Sequence, residues 1–219
     1  MFNISVLNKI KEELSAYKAE LVAVTKNHTA NDIMSLYLSG QKVFGENRVQ
    51  ELLTKYEQLP QDIEWHFIGH LQSNKVKFIA PFISLIHSVD SEKLLSVIDK
   101  EALKNNRIID CLLQVHIALE ETKFGFSLDE VLEFLHFFNA QKYPGVNIRG
   151  LMGMATLTSD IDRIKKEFDT LALLFKQIQM ETQQKNSGFN ILSMGMSSDY
   201  KQALQAGSNM VRIGSLLFG

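Results

Sequence analysis

Eight short apolar runs, separated by segments whose hydrophobic residues recur at three- and four-residue steps, constrain this 219-residue chain more than any other feature. The runs are Leu21 to Thr25, Lys42 to Phe44, Glu64 to Ile68, Ser84 to Ser88, Asp110 to Ile117, Asn147 to Met154, Asn190 to Met194 and Asn209 to Ile213. Strand and helix patterns in regular alternation predict repeated βα units. Such units build a parallel sheet, because parallel strands need a crossover long enough to hold a helix. Eight of them close a (β/α)8 TIM barrel, and a chain that is 45% hydrophobic can bury its core as one α/β domain over residues 1–219.

Local signals agree with the periodicity. Thr29 with Asp32, Ser127 with Glu130 and Ser159 with Asp162 each read as a capping box, and Gly40 and Gly207 suit helix stops. Ile164, Phe168, Leu171, Phe175 and Ile178 form one buried stripe after the sixth strand. An extra N-terminal helix, about Val6 to Tyr17, precedes the first strand, whereas the chain ends at Gly219 with no residues for a helix after the eighth. The N-terminal helix is therefore expected to cover the side of the barrel that an eighth outer helix would cover.

Charge and cysteine usage narrow the function classes. A net charge of −2 and a pI near 6.3 give no electrostatic reason to expect nucleic acid or anionic membrane, so a small molecule is the expected partner. The single cysteine, Cys111, lies in an apolar run, cannot form an intramolecular disulfide and lacks zinc-ligand spacing. Met1-Phe2-Asn3-Ile4-Ser5 does not open a signal sequence, and no run of about 18 apolar residues occurs. A cytoplasmic protein is expected, without a metal.

The two last strands stop at small-residue turns, Gly195-Met196-Ser197-Ser198 and Gly214-Ser215. Glycine lets backbone N–H groups approach an anion, serine adds a donor, and a helix beginning near Asp199 would add the positive end of its dipole. In an eight-stranded α/β barrel this is a common place for a phosphate. Lys26 follows the first strand at the same end, where desolvation beside other cations can make an amine nucleophilic enough to form an imine with an aldehyde. A phosphorylated aldehyde that forms an imine describes pyridoxal 5'-phosphate. Arg212, within Met210-Val211-Arg212-Ile213-Gly214, would need a partner if directed into the barrel. It is expected either to donate to the pyridine nitrogen, which makes the ring a weak electron sink, or to form a structural ion pair. Asn47, in Phe44-Gly45-Glu46-Asn47-Arg48, suits the ring's phenolic oxygen, while Glu46 and Arg48 are expected only to pair with neighbouring loops.

His66 and His70 have helical spacing but lie in and just after a strand, where four residues span roughly 13 Å. His66 is expected to be a satisfied core or rim residue and His70 to line the mouth. Met152, Met154, Met194 and Met196 read as barrel packing, or as walls of a flat aromatic site.

Five motifs in order carry a resemblance: Ala23 to Lys26, Phe44-Gly45-Glu46-Asn47, His66 to Lys75, Leu192 to Ser197 and Val211 to Gly214. Together they resemble the YggS/PROSC family of pyridoxal phosphate homeostasis proteins over nearly the whole chain. The resemblance implies a single barrel related to the N-terminal domain of alanine racemase, with pyridoxal phosphate as a Schiff base on Lys26. Phosphate contacts would fall around Ser193, Gly195, Ser197, Gly214 and Ser215, with Arg212 near the pyridine nitrogen and Asn47 near the ring. It also implies a cofactor carrier acting in vitamin B6 homeostasis and amino-acid balance, with pyridoxal phosphate-dependent apoenzymes as partners, as a monomer or weak homodimer. The chain departs from the family at Asn27-His28-Thr29, where relatives commonly have a proline, and ends at Gly219 before the family's short tail. The alternative is an amino-acid racemase, which needs two bases on opposite faces. Lys26 is one, and Tyr200 is expected to pack or cap its helix instead of supplying the other. A Schiff-base aldolase is weaker, since its lysine belongs on a later strand and Asn147 to Met154 contains none.

Overall fold

Strand order is sequential and closes on itself: eight parallel strands pair with their sequence neighbours, and the last pairs back with the first. They are β1 (Glu20–Val24), β2 (Val43–Glu46), β3 (Glu64–Phe67), β4 (Leu85–Val89), β5 (Ile109–Val115), β6 (Val146–Gly153), β7 (Ile191–Ser193) and β8 (Met210–Ile213). This computed structural model describes residues 3–120, 124–182 and 188–218. Met1, Phe2 and Gly219, on which the expectations about the chain ends partly fall, lie outside them.

Around the barrel run α1 (Ile4–Ala16), α2 (Ala30–Leu38), α3 (Val49–Gln58), α4 (Val76–Ile79), α5 (Glu92–Lys104), α6 (Leu128–Phe137), α7 (Ile161–Thr182), α8 (Tyr200–Ala206) and α9 (Ser215–Phe218). Alternation along each strand divides the apolar side chains into two sets. Val22, Val43, Leu85, Leu112, Met152 and Met210 point inward and pack together. Phe44, Trp65, Phe67, Ile86, Leu113 and Leu151 point outward into the larger core beneath the helices. Helix α5 shows how that layer is held, since it buries Leu94, Leu95, Ile98 and Ala102 along one stripe. Truncating a leucine there to alanine should cost about 2–5 kcal/mol.

The capping boxes at Thr29 and Ser127 form as expected, and Gly207 closes α8 with a φ of 107°. Three expectations change. Ser159 does not cap α7; Asp160 does, its Oδ1 accepting the Arg163 N–H at 3.1 Å. Strand β2 runs on to Glu46, because Gly45 and Glu46 continue the ladder beside His66 and Phe67. A helical turn, α9, also follows β8, and Asn3 donates its N–H to the carbonyl of Leu217 at 3.2 Å. Helix α1 does take the place beside it, burying Leu7, Ile10 and Leu14, with Glu13 bonded to Tyr200 of α8 and Lys11 to Gly40 after α2. Among the described residues no helix is long and apolar enough to cross a membrane.

Candidate functional site

All eight strands run toward one rim, and a cavity of about 540 Å³ opens there. Lys26, Asn47, Ser197, Arg212, Gly214 and Ser215 line it, so six residues from distant parts of the chain meet as the sequence led us to expect. Because β8 pairs with β1, Lys26 and the Gly214-Ser215 turn are neighbours around the rim, with Ser197 one strand further on. The Gly214 N–H donates to the Ser197 hydroxyl at 3.3 Å and ties these two turns together. Val24, Ile68, Gln114, Phe124, Met154 and Met196 supply much of the remaining wall. The methionines therefore divide: Met154 and Met196 line the cavity, while Met152 and Met194 are packed in the core.

Lys26 is exposed at the mouth, two residues beyond β1. Asn47 lines the cavity, and its buried Oδ1 has no hydrogen-bond partner among the described residues. Gly69 is needed beside it, since a Cβ there would stand 2.3 Å from the Asn47 carbonyl oxygen.

Ser193 and Gly195 do not line the cavity; they act beneath it. The Ser193 hydroxyl is fully buried and accepts from Arg212 Nη1 at 2.6 Å, while its carbonyl accepts from the same nitrogen at 2.9 Å. Arg212 Nη2 donates to the Gly153 carbonyl at 3.0 Å. Gly195, with a φ of 91°, lets its turn pack on α8, where a Cβ would meet that of Ala203 at 2.6 Å.

The chain of contacts continues across the barrel. Ser193 Oγ lies 3.0 Å from His87 Nδ1, and His87 Nε2 lies 3.1 Å from His66 Nδ1. Burial holds His66 at a pKa of about 3, and burial, then His66 and Arg212, push His87 well below its ordinary value. Both rings are neutral, with one N–H each. Arg212 has only donors, so the Ser193 hydroxyl must accept from it. In the tautomer where the Ser193 hydrogen goes to His87 Nδ1, His87 Nε2–H donates to His66 and the bonds run away from the guanidinium. Burial lowers Arg212 to about 10, opposed by Asp199, so it remains a cation near neutrality. Sequence reasoning missed His87, although period-two alternation in Ser84 to Ser88 puts it on the same face as Leu85, inside the barrel.

Other expectations resolve differently. Glu46 pairs with Lys55 of α3 behind the barrel wall, not with a loop. Arg48 pairs with Glu51 at 3.3 Å on an exposed helix face, worth about 0–1 kcal/mol. Helix α8 has only seven residues, and its cap residue Asp199 makes no side-chain bond to it, accepting instead the Met196 N–H at 2.6 Å. Tyr200 packs in the core beneath the helices, as expected, with its hydroxyl donating to Glu13 Oε2 at 2.6 Å. His70 does line the mouth, with Nδ1 3.1 Å from Asp90 Oδ2 and its ring stacked on Phe124. His66 points into the barrel, so the two histidines do not converge.

This barrel with a lysine beyond its first strand and serine turns beyond its last two is of the alanine racemase N-terminal type, and residues 5–219 match the family described as alanine racemase, N-terminal domain. Relatives called pyridoxal phosphate homeostasis protein include one from Aquifex aeolicus, 41% identical over 92% of this chain and 86% of its own. Another, from Helicobacter pylori, is 38% identical over 98% and 95%. PipY of Synechococcus elongatus, solved with PLP bound, superimposes with a TM-score of 0.87 at 33% identity over 99% of both chains. Alanine racemase from Clostridium difficile shares the fold alone, with a TM-score of 0.70 at 14% identity over 56% of that chain. The chain belongs to the pyridoxal phosphate homeostasis protein family.

Proposed function

We propose that the protein binds pyridoxal 5'-phosphate in the cavity at the strand ends, attached to Lys26 as a Schiff base, and serves intracellular vitamin B6 homeostasis and amino-acid balance. The observation that carries this reading is the meeting of an amine, three serines and a buried cation around one cavity. The donor set fits the group. Lys26 supplies the amine for the aldehyde, Ser197 and Ser215 with the Gly214 turn suit the phosphate, and the Asn47 side-chain N–H suits the phenolic oxygen. Arg212 is assigned to the ring nitrogen, with Ser193 holding the guanidinium and Gly195 shaping the turn around the phosphate.

The cofactor would bring an aldehyde and a ring able to accept electrons. Arginine cannot give that ring a proton at ordinary pH, so the site favours holding over carbanion chemistry. A racemase needs a second base across the ring, and Tyr200, the sequence candidate, is bonded to Glu13 of α1 and does not line the cavity. Carrier therefore ranks above racemase, with pyridoxal phosphate-dependent apoenzymes as the recipients. Titration of purified protein with the cofactor should give a visible absorption band. Borohydride should then fix the label on the Lys26 peptide, and Lys26→Ala should stay colourless. Label on another lysine, or racemisation of alanine well above the rate of free cofactor, would reject the proposal.

A further inference from the structure

A buried charge cluster behind the barrel wall holds the turn that carries Lys26. Glu46, fully buried on the outward face of β2, forms an ion pair through Oε1 with Lys55 Nζ of α3, itself 6% exposed. Both ends of the pair also grip Thr25: its hydroxyl donates to Glu46 Oε1 at 2.6 Å, and its carbonyl accepts from Lys55 at 2.8 Å. One helical turn away on α3, Glu51 Oε2 accepts the Asn27 N–H at 3.1 Å and lies 3.6 Å from Lys55 Nζ. That bond is the largest influence keeping the Glu51 carboxyl below its usual range. Asn27 is in the left-handed region at a φ of 64°, a conformation that a non-glycine residue keeps only when its surroundings hold it there.

The residues on either side of Lys26 are thus tied down by three side chains that do not reach the cavity. A buried ion pair contributes little net stability compared with apolar residues of the same volume, so stability alone gives no reason for one here. Position does. Glu46 also adjoins Asn47, so the same cluster locates two cavity residues.

We propose that Glu46, Lys55 and Glu51 are positioning residues, a clamp that aims the Lys26 turn over the cavity and sets the speed of cofactor attachment. This rests on the assignment of Lys26 to the aldehyde. The test measures, by stopped flow, how fast the visible band appears when pyridoxal phosphate is added to wild type, Glu51→Ala, Glu51→Gln and the double variant Glu46→Gln/Lys55→Met. Melting temperatures and the borohydride-reduced Lys26 peptide are followed in parallel.

Glu51 is partly exposed, so its variants should fold; removing its acceptor should slow attachment about tenfold at an unchanged melting temperature. Glu51→Gln keeps an acceptor for Asn27 and should restore the wild-type rate. The double variant should also be slow, and should it fail to fold, Glu51→Ala against Glu51→Gln decides. Wild-type rates in Glu51→Ala, or equal slowing in Glu51→Gln, would overturn the clamp. Reduced label away from Lys26 in wild type is a separate failure, that of the amine assignment.

Discussion

Acid should loosen the barrel through the histidine pair in its interior. Burial holds His66 at about 3 against an ordinary 6.5, and His87 is displaced in the same direction. Between those limits the unfolded chain takes up a proton at His66 that the folded chain refuses, so stability rises with pH across the window. Its contribution is complete above 6.5 and is lost as pH falls toward 3. Lowering the pH to 5 moves about 1.5 pH units below the unfolded value, and at about 1.36 kcal/mol per unit His66 alone removes about 2 kcal/mol. That is a sizeable fraction of the roughly 5–15 kcal/mol that holds a domain folded, and His87 adds a loss of the same sign. Urea unfolding at pH 7 and pH 5 would measure it in wild type and in His66→Gln, whose amide does not titrate and can still bond to His87. Carboxylates common to both proteins cancel in the difference. Wild type should lose about 2 kcal/mol more than the variant; equal losses would show that His66 is not a buried neutral group and would remove the argument for the direction of the hydrogen bonds beneath the cavity.

Lys26→Ala should melt like wild type, because the side chain is exposed, yet show no borohydride-stable label by mass spectrometry. Ser197→Ala should weaken cofactor binding about tenfold or more in an absorbance titration, the worth of one hydrogen bond to a charged group; an unchanged Kd would take Ser197 out of the phosphate site. Gly69→Ala forces a Cβ to 2.3 Å from the Asn47 carbonyl, and should cost about 1–3 kcal/mol of stability and loosen the cofactor. Calorimetry and the same titration would check it.

Much of the site was legible because its parts announce themselves locally. The glycine and serine turns, a lysine just beyond a strand and an arginine inside an apolar run each carry a signal within a few residues. Ser193 and Gly195 looked like cavity residues for the same reason. Inward alternation instead buries the Ser193 side chain against Arg212, and the positive φ of Gly195 serves packing on α8. His87 meets Ser193 across 106 positions, and no local pattern encodes a hydrogen bond of that span. Lys55 was overlooked because a lysine on a helix is ordinarily solvated, whereas here α3 lies against β2 and turns it inward.

The amino-acid order by itself determined the eight strands, most helix boundaries and the turns that line the cavity, because alternation, amphipathic spacing, caps and turn chemistry act between residues a few positions apart. Which side chains share a proton chain, which charge is buried behind the wall, and that Lys26 stands beside the turn after β8 were decided only when β8 paired with β1. Closure of the sheet brings together groups at opposite ends of the chain, and burial inside that closed wall keeps the two histidines neutral and makes the Arg212 cation depend on the oxygens of Ser193 and Gly153.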